Sequence, residues 1–279
     1  MLHIKLMVIV CELLTHDNTV TKREVYYQHE AIFRSQADLD QALDRLARTF
    51  GVPRDDLGIV AGSKGLILGP CIQLVGAESP PSNKCTIPES PSVKSIGECP
   101  FVLVVEKEAV FQTIFDDYTF LQEQFGPFAL ITGKGFPCMA TRKLVSQLGR
   151  LGLQVFCLVD FDPYGLEIAR QYRLGSEKLP AETQHLACPS IVYAGLTFQD
   201  IDRYGDQARI AEKLTGTERK RLGRLQKQVA EEGWIELSRS IAKMIDHDVK
   251  GETEVIPNTH NYFTRTFLVD KLANLLKSS

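Results

Sequence analysis

The hydrophobic pattern of the first 50 residues predicts three helices. The run 4–15 is apolar, and residues 17–19 supply turn and capping chemistry ahead of a shorter helix over 21–28. After Ser35, an N-cap candidate, apolar residues recur at helical spacing until Gly51, which is typical of a helix end. We therefore expect two longer helices separated by a short one.

Two short β-rich runs follow, 57–60 and 66–68, on either side of residues 62–65, whose two glycines favour a turn. This pattern predicts a β-hairpin. Three helices followed by a hairpin are typical of a winged helix, a helix-turn-helix variant that commonly binds DNA. We therefore predict a winged-helix domain over residues 1–75.

The composition changes between residues 76 and 100. Five of the 13 prolines of the chain lie here, together with several serines and little apolar periodicity. Such a composition favours a linker or surface loop. We therefore expect a second domain to begin at Phe101.

Short apolar runs alternate with helical segments beyond Phe101. The strand-type runs are 101–105, 128–132, 154–159 and 190–193, and helical patterns include 140–151 and 166–172. Strands that alternate with helices predict a parallel sheet. The expected fold class is α/β (α+β overall), with a mostly parallel sheet in residues 101–279 and a helical extension at the C-terminal end.

Composition narrows the function classes. The chain has 279 residues, of which 44% are hydrophobic and 24% charged, and a formal net charge of −3, so a wholly disordered chain and a polycation are excluded. The seven cysteines include no C-x-x-C pair, which argues against a disulfide framework or zinc knuckle and favours a reducing compartment. The N-terminal apolar stretch is too short to span a bilayer. We expect a soluble, intracellular protein with no membrane partner.

Three carboxylates stand out by their position at strand ends. Glu106 follows the run 101–105, and Asp160 and Asp162 follow the run 154–159. Because ligand sites of parallel sheets form beyond the carboxyl ends of strands, acids at two such ends can meet around one hard divalent cation. A lone D-x-D sequence is more often a solvated turn, so the residues alone leave both interpretations open.

A second candidate site is a glycine-rich loop followed by a helix start that carries two cations, comprising Gly133, Lys134, Gly135, Arg142 and Lys143. Glycines let a backbone approach a phosphate closely, and a helix start favours anions. The signal is weak, and no G-x-x-x-x-G-K-[ST] sequence occurs in the chain. Use of ATP by this chain alone is therefore not expected.

Residues 21–27 place two tyrosines next to cations on the short helix of the predicted DNA-binding domain. A tyrosine can attack a phosphodiester when a cation or metal stabilises the phenolate, since the pKa of a free phenol is about 10. The spacing alone favours the structural alternative, in which Tyr26 or Tyr27 packs in a core.

Five motifs, in order along nearly the whole chain, resemble those of one family, which comprises the eukaryotic meiotic double-strand-break protein and the A subunit of archaeal DNA topoisomerase VI. The motifs are TKREVYY at 21–27, SKGLI at 63–67, VEKEAVF at 105–111, GKGFP at 133–137 with Thr141 and Arg142, and LVDFDPYG at 158–165. The third and fifth resemble segments of the family's Toprim domain. The resemblance implies a winged helix followed by a Toprim domain.

The resemblance also implies a role for each matched residue. Tyr27, the second of the pair, corresponds to the nucleophile that becomes linked to a DNA 5′-phosphate, and Arg23 assists at the scissile phosphate. Glu106, Asp160 and Asp162 correspond to the ligands of Mg²⁺. Cations in or beside the motifs are expected to contact DNA, namely Lys22, Lys134, Arg142 and Lys143.

The same resemblance implies partners and a setting. A double-strand break needs two tyrosines, so we expect a homodimer on double-stranded DNA, in which the tyrosine of one subunit faces the metal site of the other. Meiotic accessory proteins and a topoisomerase VI B-like subunit are the further expected partners, in the nucleus. The expected activity is a Mg²⁺-dependent, type IIB topoisomerase-like transesterification that makes meiotic double-strand breaks.

Two departures from the family pattern leave alternatives open. Cys138 stands where the family has an acidic residue, and the chain begins at the first winged-helix helix, without the segment that docks the B-type partner. The alternatives are a non-catalytic DNA-binding or scaffold subunit of the same fold, and the A subunit of a type IIB topoisomerase.

Overall fold

The computed structural model describes residues 2–16, 18–52, 54–60, 62–175, 186–205 and 212–278. Its strands are β1 (Val20–Thr21), β2 (Ile59–Val60), β3 (Leu66–Leu68), β4 (Ile72–Leu74), β5 (Cys85–Thr86), β6 (Val93–Ile96), β7 (Phe101–Val105), β8 (Ala129–Thr132), β9 (Gln154–Leu158) and β10 (Val192–Tyr193). Its α-helices are α1 (Leu2–Thr15), α2 (Lys22–Gln28), α3 (Gln36–Phe50), α4 (Glu108–Asp116), α5 (Tyr118–Phe125), α6 (Met139–Arg150), α7 (Pro163–Leu174), α8 (Phe198–Tyr204), α9 (Gly216–Glu231), α10 (Ile235–His247) and α11 (Val269–Ser278). Short 3₁₀ turns cover Arg54–Leu57, Thr253–Val255 and Thr259–Asn261, and a π-helical segment, Phe263–Leu268, leads into α11.

The three N-terminal helices form as the sequence predicts. The Thr21 hydroxyl accepts a hydrogen bond from the Glu24 amide, and the Glu24 carboxylate accepts one from the Thr21 amide, so a capping box starts α2. Ser35 caps α3 through its hydroxyl, and Gly51 ends α3 in a left-handed conformation. The apolar faces of the helices share a core whose members include Leu6, Ile9, Val10, Val25, Phe33, Leu39 and Leu43.

The predicted β-hairpin is wrong. β2 pairs in parallel with β1, in the register Thr21↔Val60, whereas β3 pairs antiparallel with β8 and β5. Residues 62–65 therefore carry the chain onward instead of turning it back. In the larger sheet, Ile67 and Leu68 of β3 are buried. A two-stranded hairpin alone would give these side chains much less burial.

The main sheet is mostly parallel, as the alternating pattern predicts. Its order is β10-β9-β7-β8-β3-β5; the first four strands are parallel, and β3 and β5 are antiparallel to their neighbours. Every residue of β7 is buried, which accounts for its uninterrupted apolar sequence. Because β7 and β9 are parallel neighbours, their carboxyl ends lie at the same edge of the sheet.

Residues 66–100, assigned by composition partly to the first domain and partly to a linker, contain paired strands. β5 pairs with β3, β6 pairs with β4, and Ile87 is buried, although both residues of β5 are exposed. One buried apolar cluster lies within residues 6–59 and another within 67–272. The clusters favour a boundary between Val60 and Leu66; the division into 1–75, 76–100 and 101–279 stays a prediction.

The C-terminal helices bring the chain back to the edge where β7 and β9 end. α9 packs on α7 and α10, and Gly251 forms an antiparallel bridge with Phe161. Residues 252–254 consequently lie beside Asp160. In the part of the chain that the structure describes, no helix has the length and apolar character needed to cross a bilayer.

Candidate metal centre and nucleophile helix

Two of the predicted metal ligands meet at the shared edge of β7 and β9. Val105 and Leu158 are partners in register; Glu106 directly follows the first, and Asp160 lies two residues after the second. The amide of Asp160 donates a 3.1 Å hydrogen bond to Oε2 of Glu106. Neighbouring parallel strands therefore place both acids at one point.

Asp162 lies beside them, at the start of α7. It is the N-cap residue, and its Oδ1 accepts a 2.6 Å hydrogen bond from the Gly165 amide. A Cβ on Gly165 would lie 3.1 Å from Oε2 of Glu106 and 3.0 Å from the amide nitrogen of Asp160. The close approach of α7 to the acids thus requires glycine at this position.

A lysine and two further acids, which sequence reasoning did not place in the site, complete the cluster. Nζ of Lys107 lies 2.8 Å from Oε2 of Glu252, 2.8 Å from Oε2 of Glu254 and 2.9 Å from Oδ2 of Asp160. Glu252 and Glu254 are 145 and 147 residues from Lys107 along the chain. No local motif marks them, because only the tertiary fold brings them to the sheet edge.

Thr253 holds Asp160 in place. Its amide and its hydroxyl both donate to Oδ1 of Asp160, at 2.8 and 2.5 Å. Since Oδ2 pairs with Lys107, both carboxylate oxygens have partners, and Asp160 is only 2% exposed. A buried carboxylate is stable in a protein interior only with such partners.

Burial perturbs the titration of this cluster. It raises the pKa of Glu106 to about 8, and the charge of Asp160 adds to the effect. Burial also raises the pKa of Asp162. For Lys107, burial alone lowers the pKa. Hydrogen bonds to Glu252, Glu254 and Asp160 outweigh burial and hold the pKa of Lys107 above its usual value.

The donor set fits a hard divalent cation. Among the described residues, Asp160, Glu252 and Glu254 each offer an oxygen within 4.8 Å of the other two, and Glu106 and Asp162 adjoin Asp160. Carboxylate oxygens are ligands that Mg²⁺ prefers, and the raised pKa of Glu106 shows that the protein alone compensates its negative charge poorly. Asp160 belongs both to the set with Glu252 and Glu254 and to the set predicted from the sequence. That predicted set, Glu106, Asp160 and Asp162, stays a prediction.

The loop after β8 is fastened to the same edge. Lys134 and Gly135 both have left-handed backbone conformations, with φ of 54° and 83°. The Gly135 amide donates to the carbonyl of Glu106 at 2.9 Å, and Nζ of Lys64 donates to the carbonyl of Lys134 at 3.1 Å. Nζ of Lys134 pairs with Glu108 at 3.0 Å. The loop adjoins the acids, and a DNA contact by Lys134 stays a prediction.

Arg142, the third cation expected to contact DNA, lies largely inside the protein, and its DNA contact stays a prediction. Arg142 is only 5% exposed, on the same face of α6 as the buried Val145. Burial raises the pKa of the Tyr172 phenol, and the charge of Arg142 opposes that rise. Lys143 is partly exposed and stays a predicted contact.

Cys138 occupies the N-cap position of α6, with its Sγ 3.3 Å from the hydroxyl of Thr141. Burial alone raises the pKa of the thiol, but hydrogen bonds from Thr141 and from the backbone of Lys64 and Gly65 outweigh it and hold the pKa below its usual value. The lowered pKa makes Cys138 more acidic than an ordinary thiol at a position where the resemblance predicts an acid.

The candidate nucleophile lies on a different element from the acids. Tyr27 is 63% exposed, whereas Tyr26 packs against the N-terminal core, with the two ring centroids 5.6 Å apart. Arg23 is exposed and has no hydrogen bond or ion pair with the residues that the structure describes. Lys22 pairs with Asp40 at 2.8 Å, so its ammonium is engaged within the protein, and its DNA contact stays a prediction.

Comparisons with known proteins identify the same two regions. Residues 101–272 match the family described as the Toprim domain of Spo11 and of the topoisomerase 6 A subunit, and residues 1–59 match the one described as Type IIB DNA topoisomerase. Meiotic recombination protein SPO11 of Mus musculus is 30% identical over 280 residues, covering 96% of this chain and 70% of the mouse protein. The Homo sapiens protein of that name is 30% identical over 286 residues with the same coverage. The A subunit of DNA topoisomerase 6 from Arabidopsis thaliana is 30% identical over 213 residues, 72% of this chain and 48% of the relative.

Proposed function

Because the chain belongs to the family of Spo11 and the topoisomerase 6 A subunit, we propose that it is a DNA transesterase whose nucleophile is Tyr27. The contrast within the tyrosine pair carries the proposal, since Tyr26 packs on the core while Tyr27 is 63% exposed. A hydroxyl that attacks a phosphodiester must be accessible, and the adjacent exposed Arg23 offers the cation that stabilises a phenolate.

In the proposed reaction, the phenol oxygen of Tyr27 attacks a DNA phosphorus. A bond forms between this oxygen and phosphorus, and the bond from phosphorus to the 3′ oxygen breaks. The phenol loses one proton and the leaving 3′-hydroxyl gains one, so the step balances. Arg23 offsets the negative charge on the phosphate oxygens. One phosphoester replaces another, and the step is therefore reversible.

Glu106, Asp160 and Asp162 are the proposed ligands of Mg²⁺, which, when bound, supplies charge compensation for the phosphate. The chain's own residues prepare the site. Thr253 fixes the Asp160 carboxylate through two hydrogen bonds, and Lys107 balances part of the acidic charge. Both contacts hold the Asp160 carboxylate in one orientation.

We extend the proposal to the assembly, because one chain supplies only one Tyr27 and a double-strand break needs two. Within the described chain, no hydrogen bond or ion pair joins Tyr27 or Arg23 to the acids, which supports a site completed between two subunits of a homodimer. The relatives named as meiotic recombination proteins support a role in meiotic breaks, in the nucleus, with accessory proteins and a B-like subunit.

The test is covalent-adduct formation on double-stranded DNA by the chain with a B-type partner, read on a denaturing gel. Tyr27→Phe removes one oxygen and keeps the ring, so we expect adducts to fall about 10³-fold or more while DNA affinity stays unchanged. Tyr26→Phe is the matched control and should cut like wild type. Adducts from both variants would refute the nucleophile assignment, and loss in Tyr26→Phe alone would transfer the role to Tyr26.

A non-catalytic DNA-binding or scaffold subunit is the second candidate, because Cys138 stands at a position predicted to be acidic. This alternative predicts DNA binding without adducts even when the partner is present. An A subunit of a type IIB topoisomerase, the kind of protein that the Arabidopsis relative is named as, predicts instead that supercoiled DNA is relaxed and resealed. The same gel, with a supercoiled substrate added, distinguishes the three.

A further inference from the structure

We propose that Cys71 and Cys99 are a site of reversible oxidation, at which hydrogen peroxide converts the two thiols to an intrachain disulfide. Both cysteines are free in this structure, and Sγ of Cys71 donates a hydrogen bond to Sγ of Cys99 across 2.7 Å, although 28 positions separate them along the chain. The inference concerns chemistry away from the acids and from Tyr27, and it does not depend on the proposed function.

Backbone pairing brings these two side chains together. Ile72 and Ile96 are partners in the antiparallel pair of β4 and β6, and the Gly97 amide donates to the carbonyl of Cys71 at 2.8 Å. The ladder therefore continues past the strand ends towards Cys99, whose Sγ also lies 3.5 Å from the carbonyl of Phe101. The two thiols meet because the pairing of β4 with β6, and the hydrogen bond from Gly97 to Cys71, hold the two backbone segments side by side.

The two thiols differ in a way that sets the order of steps. Their mutual hydrogen bond raises the pKa of Cys71 and lowers that of Cys99, and Cys99 is the more exposed. The Cys99 thiolate attacks one peroxide oxygen, which gives a sulfenic acid and one water after protonation. The Cys71 sulfur then displaces the sulfenic hydroxyl as a second water. In total, two thiols and one peroxide become one disulfide and two waters.

The disulfide would close the loop formed by residues 71–99. The loop contains β5, which pairs with β3 of the main sheet. A cross-link between Cys71 and Cys99 would therefore restrict a segment that is attached to the main sheet.

Trypsin offers a direct test, because its cleavage sites separate three neighbouring cysteines: Cys71 falls in peptide 65–84, Cys85 in 85–94 and Cys99 in 95–107. The full chain is treated with hydrogen peroxide, alkylated and digested without reduction. We expect peptides 65–84 and 95–107 to appear joined and two hydrogens lighter than their sum, with peptide 85–94 alkylated. Cross-links to the exposed Cys85, or alkylated Cys71 and Cys99 at peroxide concentrations that oxidise Cys85, would overturn the proposal.

A second measurement follows thermal unfolding before and after oxidation. We expect peroxide to raise the melting temperature of the wild type and of Cys85→Ala by about 5 °C, since closing a loop of this length restricts the unfolded chain, and dithiothreitol to reverse the rise. Cys99→Ala, at the more exposed of the two positions, should show no such rise. An equal rise in Cys99→Ala would assign the effect to another group.

Discussion

The acids and the candidate nucleophile are held in opposite ways. Asp160 is 2% exposed and both of its oxygens have partners, whereas Tyr27 is 63% exposed and Arg23 has no partner among the described residues. Buried charges must be fixed by other groups, and a side chain that meets DNA must remain accessible. Changes to the acids should therefore alter both stability and cleavage, and changes to the exposed Tyr27 and Arg23 should alter cleavage alone.

Among changes to the acids and their contacts, the largest effect is expected from Glu106→Gln, which keeps the shape of the side chain and removes its charge. Cleavage by the assembled complex should fall about 100-fold or more. Because burial raises the pKa of Glu106 to about 8, ionising it costs the metal-free protein free energy, so the variant should melt no lower than wild type at pH 8.5. Glu123→Gln, at an exposed acid on α5, is the control for both measurements. Wild-type cleavage by Glu106→Gln would remove Glu106 from the site.

On α2, Arg23→Ala and Lys22→Ala form a matched pair. We expect Arg23→Ala to lower cleavage about tenfold or more and to leave the free energy of unfolding unchanged. Lys22→Ala breaks the partly exposed ion pair with Asp40 and should cost about 0.5 kcal/mol of stability, with a smaller loss of cleavage. Urea denaturation measures the loss of stability, and the adduct gel measures the loss of cleavage. If Arg23→Ala lost more stability and Lys22→Ala lost more cleavage, the two residues would not have the roles assigned to them.

A change of pH is expected to alter the free energy of unfolding of the metal-free protein. The pKa of Glu106 is about 8 in the folded protein against an ordinary 4.5, so the folded state binds the proton more tightly. This stability is fully present below about pH 4.5 and is lost as the pH rises through 8; the raised pKa of Asp162 acts in the same direction. With EDTA present, the free energy of unfolding should fall by about 1–2 kcal/mol between pH 5.5 and 8. An equally steep fall in Glu106→Gln would assign the effect to other groups.

The smallest effect expected among the contacts of the acids comes from Thr253→Val, which removes one of two hydrogen bonds to Asp160 and leaves the amide. We expect a loss of about 1 kcal/mol of stability and a shift of the Mg²⁺-dependent rise in melting temperature to higher Mg²⁺ concentrations. Thr253→Ser keeps the hydroxyl and should restore both. If serine and valine behave alike, the hydroxyl does not position Asp160.

Features with local causes were predictable from the sequence. Ser35 and Gly51 mark the ends of α3 because an N-cap and a left-handed C-cap depend on the adjacent backbone. The apolar run before Glu106 predicts both the buried strand and the position of the acid at its end. The exposure of Tyr27 did not follow from the pattern, since two adjacent tyrosines on a helix differ only in which face the core takes.

Features with distant causes were not predictable. The glycines at 62 and 65 favour a turn, and only the burial of β3 against β8 shows that the chain crosses to another sheet. Glu252 and Glu254 lie beside Lys107 because Gly251 forms a bridge with Phe161. No short sequence motif predicts this bridge. Arg142 follows a glycine-rich loop, and its burial depends on how α6 packs.

The short segment that connects β2 to β3 also limits the distance between α2 and the main sheet. Val60 ends the strand that pairs with Thr21 ahead of α2, and Leu66 begins a strand of the main sheet. Six residue steps span at most about 20 Å, and Lys64 already fastens the crossing to the loop after β8. The short crossing therefore limits how far α2 can move away from the main sheet of its own chain. In the proposed homodimer, the two Tyr27 side chains would consequently separate only when whole subunits move apart.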